Sequence, residues 1–176
     1  GADLHNHFRT SSWVKETDLE KAATIATDEK NLGIGAVVAL VNCEDARFEE
    51  TVDKARKRGK TLVHSLGGNA VYLPEIGGCL FIKGQQVPTP QGNILFLGVD
   101  RDNYIMHNVP VKERNLIDTL KAGNKSGAFA VIPQPFYSGG IFRKSPALGI
   151  QAPLNQEQMR ELVFGYEIYN GSAEFH

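Results

Sequence analysis

Two spacings of apolar residues alternate along the chain. Ala2 to Phe8 is short and ends in polar groups. Thr17-Asp18-Leu19-Glu20 then reads as a capping box, Thr17 serving as N-cap and Glu20 reaching back to it. Leu19, Ala22, Ala23 and Ala26 follow on one face, so a helix is predicted to about Lys30, stopping near Gly33. Ala36 to Val41 is a continuous apolar run, the pattern of a strand buried on both faces. Asp45 to Arg58 returns to helical spacing, with Phe48, Val52 and Ala55 inward and Gly59 as stop. Thr61 to Val63, Ala70 to Leu73 and Ile94 to Val99 read as strands, and Gly84 to Gly92 as a hairpin-like excursion or loop. Lys112 to Lys121 is a predicted helix with Gly123 as terminator. Phe129 to Ile132 is a buried strand, Gln156 to Val163 a short helix, and Tyr166 to Tyr169 the last strand. This alternation predicts an α/β fold with a parallel sheet, in one domain spanning 1–176.

Composition narrows the function classes. Nineteen Lys and Arg against twenty Asp and Glu leave a formal charge of −1, so no global field draws the chain to nucleic acid or an anionic membrane. The run Ala36–Val41 is far shorter than the ~20 residues of a bilayer span. No basic-then-apolar leader opens the sequence, and Cys43 and Cys79 are too few for a disulfide framework. The expectation is a cytoplasmic domain without membrane contact. Lys54, Arg56, Lys57 and Arg58 close a predicted helix that Glu49, Glu50 and Asp53 open; this complements the helix dipole, so a solvated helix end explains the cluster.

In parallel α/β folds reactive groups gather at the carboxyl ends of strands. His5 and His7 stand there on the first strand. Residues i and i+2 share a face, so two imidazoles can reach one divalent ion, with Asp3 as an orienting acceptor. Asn42-Cys43-Glu44-Asp45, Glu75 and Gln134 also follow apolar runs directly. Cys43 is a candidate zinc ligand as a thiolate, or a small buried hydrophobe. His64 fits a core position and His107 a polar loop. Arg9 and the loop Gly139 to Ser145, which contains Arg143, are candidate phosphate-binding elements or plain surface.

Asp3-Leu4-His5-Asn6-His7-Phe8 resembles the first motif of the polymerase and histidinol phosphatase (PHP) family. Ala36 to Asp45, Pro74-Glu75-Ile76 with Gly92 to Asp100, Phe129 to Pro135, and Tyr166 to Gly171 resemble that family's later motifs, in order. The resemblance implies a distorted (β/α) barrel and hydrolysis of a phosphate ester by metal-bound hydroxide. Carried over by position, it makes His5, His7 and Glu75 metal ligands, with Cys43 a candidate fourth. The departures are as informative. Asn42-Cys43 replaces an Asp-His pair, Asn93 and Gln134 replace ligating histidines, and the closing Asp-x-His motif is missing.

Asn42, Asn93 and Gln134 are therefore expected to line the cavity at lost ligand positions. Neutral amide oxygens are poor substitutes for imidazole on Zn²⁺ or Mn²⁺, so at most one well-bound ion is expected, and none is compatible with the same pattern. The implied partner is a small phosphorylated molecule, and a barrel shortened at its C-terminus implies a second copy covering the opening. The alternative is a non-catalytic PHP-fold scaffold or ligand-binding domain. An amidohydrolase also opens on His-x-His, but no later strand-end Lys, His and Asp set completes its site here.

Overall fold

The computed structural model describes residues 2–6, 37–40, 47–58, 64–74, 78–100, 104–133 and 157–167. The helix expected over 17–30 and the loop over 139–145 lie outside these residues, as do 61–63 and 168–169. The chain divides into two compact units, residues 1–85 with 97–102, and residues 86–96 with 103–176.

Among its described residues, the first unit is a mixed sheet with one helix. β1 (Ala2–Asn6) and β2 (Val37–Leu40) pair in parallel, and β2 pairs in parallel with β5 (Cys79–Thr89) through Val37↔Leu80 to Leu40↔Lys83. β4 (Ala70–Leu73) pairs antiparallel with the same stretch of β5 from its other edge, and β3 (His64–Ser65) pairs antiparallel with β4. The expected all-parallel sheet is therefore corrected to a mixed one. The reason is connection length. Only 74–78 separates β4 from β5, whereas a parallel crossover takes a dozen residues or more. Ser65 and Ala70 are joined by a tight turn in which Gly67 takes φ +74° and the Leu66 N–H donates to Ala70 O at 2.9 Å.

α1 (Arg47–Arg58) buries Phe48 and Val52, one turn apart, while Asp53, Arg56 and Lys57 face solvent. Arg56 lies 3.6 Å from Asp53 in an exposed pair, as the solvated-end reading of the basic cluster expects. Val71, Leu73, Cys79, Phe81 and Val99 are buried with them.

Of the two readings of 84–92, hairpin-like excursion or loop, the structure takes the hairpin: β5 runs to Thr89, and β6 (Gly92–Leu97) returns after Pro90 and Gln91. The Thr89 hydroxyl holds that turn, donating to Gly92 O at 2.7 Å and accepting from the Gln91 N–H at 3.3 Å. Glycine and proline made the stretch look irregular, yet Val87 and Thr89 alternate inward as strand positions do.

The helix expected over 112–121 is split. Val111–Glu113 forms one 3-10 turn, and α2 (Leu116–Lys125) starts afresh because Asn115 Oδ1 accepts from the Ile117 and Asp118 N–H groups. Gly123 does not terminate α2 but lies buried within it. Gly127, at φ +80°, is the terminator: its N–H donates to Asn124 O and the Ala128 N–H to Gly123 O, the paired bonds of a Schellman motif.

β7 (Phe129–Ile132) follows, then α3 (Glu157–Leu162) and β8 (Gly165–Tyr166), which pairs in parallel with β7. Asn124 caps α3, its amide donating to Leu162 O at 3.0 Å. Among the described residues, no helix is long and apolar enough to cross a membrane.

Candidate metal centre

His5 is the fourth residue of β1, half-buried, near the carboxyl end of a strand whose neighbour runs parallel to it. The β1–β2 register advances three residues from Asp3 to Asn6 while β2 advances two, from Val38 to Leu40. That extra residue is a β-bulge at Leu4–His5. It breaks the strict alternation that put Asp3 and His5 on one face, and bulges of this kind re-aim side chains beside active sites.

His7, Arg9, Asn42, Cys43, Glu75, Gln134 and Arg143 lie outside the described residues. Glu75 directly follows Pro74, an exposed turn residue at the end of β4. Asn93 is described: it is solvent-exposed on β6, one residue beyond Gly92 at the hairpin turn, and belongs to the second unit, whereas His5 belongs to the first. Among the described residues, no three His, Cys, Asp or Glu side chains are grouped to hold a metal ion. His107 is exposed, its ring 6.1 Å from that of Tyr104, and Cys79 is buried.

Sequence reasoning missed a buried charge. Lys83 is fully buried on β5, and its ammonium donates to Glu49 Oε1 in the first turn of α1. Desolvating two charges is expensive, so such a pair endures only where each answers the other. The signal was present. Cys79, Phe81 and Lys83 occupy alternate positions of an apolar strand, which places Lys83 on the covered face.

No family model matches the chain, and no curated protein matches it. Two solved structures are similar. One is Endonuclease Q in complex with a 27-mer duplex substrate carrying an abasic lesion at its active site; identity is 16%, the TM-score 0.49, and the match covers 77% of this chain and 35% of that one. The other is a two-domain protein from Bacteroides vulgatus ATCC 8482 containing a predicted PHP-like metal-dependent phosphoesterase, with 16% identity, a TM-score of 0.49, and coverage of 95% of this chain and 43% of that one. The chain thus spans less than half the length of each.

Proposed function

We propose that the chain is a PHP-type domain, built on a distorted (β/α) barrel and related to metal-dependent phosphoesterases, with a reduced metal site. The observation that carries this reading is the place of His5. It stands near the carboxyl end of the first strand, in a parallel pair, beside a bulge, where the PHP-like first motif needs its imidazoles.

The donor chemistry fits one divalent ion. His5 and His7 supply nitrogen, Glu75 an anionic oxygen, and Cys43 is placed by sequence to add a thiolate. When bound, Zn²⁺ or Mn²⁺ supplies Lewis-acid activation of a phosphate ester. The residues of the chain do the rest: the two imidazoles hold the ion, and Arg9 and Arg143 hold the phosphate oxygens by charge-assisted hydrogen bonds. Asn42 and Gln134 offer only neutral donors and acceptors where a second or third ion would need anions or imidazoles. The same loss favours a second reading, a PHP-fold domain that binds a small phosphorylated molecule without hydrolysing it.

A chromogenic phosphate monoester, assayed with added Mn²⁺ and with added Zn²⁺, separates the two. Turnover that disappears in His5→Ala and returns with neither metal supports the hydrolase. Saturable phosphate binding without turnover supports the binding module, and neither result in the folded protein contradicts both.

A further inference from the structure

The register of β1 decides which side of the sheet receives His5. Asp3 stands opposite Val38 and Asn6 opposite Leu40, and Val38 and Leu40 stand in turn opposite Phe81 and Lys83 of β5. Lys83 reaches Glu49 of α1, so these rows belong to the side that α1 covers. Successive strand residues take opposite sides. His5, directly before Asn6, therefore belongs to the other side, with Ala39, Ile82 and Ala70.

An unbulged β1 would give the reverse. Residues i and i+2 of an even strand share a side, so His5 would follow Asp3, opposite Leu40 and in the row of Lys83. The extra residue in Leu4–His5 is what shifts it.

The two sides differ in access and in charge. On the α1 side, Val71 and Leu73 of β4 and Phe81 and Lys83 of β5 are 3% exposed or less. On the other, Ala70, Leu80 and Ile82 are half-buried and Tyr72 is 36% exposed. His5 is half-buried too, as a residue of the accessible side should be. A divalent ion on the α1 side would shed its water in a closed layer and share that layer with the Lys83 ammonium. The accessible side imposes neither cost.

On the metal reading proposed above, we infer that the bulge at Leu4–His5 is the positioning element of the metal site. Leu4 is a spacer that turns His5 from the α1 side to the accessible side, and the ion binds there.

The test is a Mn²⁺ titration of the full chain, read as paramagnetic broadening of side-chain proton resonances. Neighbours on one strand differ mainly in side, so each strand supplies its own control. Ile82 should broaden more than Phe81 and Lys83, and Ala70 more than Val71. Deleting Leu4 leaves His5 directly before Asn6 and opposite Ala39, so the pattern should survive the deletion. Exchanging two residues, His5→Asn with Asn6→His, moves the imidazole to the α1 side and should lose the broadening of Ile82. Circular dichroism checks that both variants fold; should the exchange unfold the chain, the parent pattern and the deletion decide.

Broadening strongest at Phe81 and Lys83 would overturn the inference and leave the metal reading standing. So would loss of the pattern in the folded deletion variant, or its persistence in the folded exchange. No broadening at any residue would overturn the metal reading itself, and the role of the bulge with it.

Discussion

Replacing Gly123 by alanine is normally a favourable change inside a helix, worth about 1 kcal/mol. Here the opposite is expected. A Cβ at Gly123 would stand 2.0 Å from Phe96 Cε1, 2.4 Å from Cδ1 and 2.7 Å from Cζ. Carbon atoms prefer about 3.5–4.0 Å, so helix and ring must part by about 1.5 Å. Phe96 is fully buried on β6 and has no solvent to swing into. Overpacking of this kind costs about 1–3 kcal/mol, and the short approach puts it at the upper end. After the helix-propensity gain, a net loss of about 2 kcal/mol remains.

Urea denaturation followed by far-UV circular dichroism reads this as a midpoint lower by about 1 M. Phe96→Leu removes the ring edge, so adding it to Gly123→Ala should cost less than the two single losses combined, with a coupling of about 1–2 kcal/mol. A Gly123→Ala midpoint equal to or above the parent, or strict additivity in the cycle, would refute the packing argument.

Glu49→Gln should destabilise by about 3–5 kcal/mol, because Lys83 is fully buried and loses its countercharge. Lys83→Met should cost less, since the Glu49 side chain keeps 18% of its exposure, and the double variant Lys83→Met/Glu49→Leu should recover most of the loss; denaturant midpoints check the order.

The legible parts of the fold were those set by local pattern. Phe48 and Val52 in α1, the β7 strand Phe129–Ile132 and α3 near Glu157–Leu162 follow from spacing alone, because each covers one face with apolar residues. What escaped depends on partners distant in sequence. Gly123 looks like a terminator until Phe96, on another element, claims the space of its Cβ. Gly127 ends the helix instead because the chain must turn left-handed there to satisfy the last carbonyls. Lys83 looks like a surface cation until α1 brings Glu49 over it.

The direction of β4 was hidden for a simpler reason: periodicity registers that a strand exists, and only the five residues before β5 show that it must pair antiparallel. Of the candidate site, the position of His5 on a parallel first strand was legible from the apolar pattern. The bulge at Leu4–His5 was not, since it is a property of the register with β2.

The central claim is that this chain holds no more than one divalent ion, and that His5 and His7 hold it. The direct measurement is metal stoichiometry after equilibration with Zn²⁺ or Mn²⁺ and removal of excess, by elemental analysis of the parent and of His5→Ala/His7→Ala. The account predicts one ion or fewer per chain in the parent and none in the variant, with both proteins folded. Two or three ions per chain, or an ion retained when both histidines are gone, would contradict it.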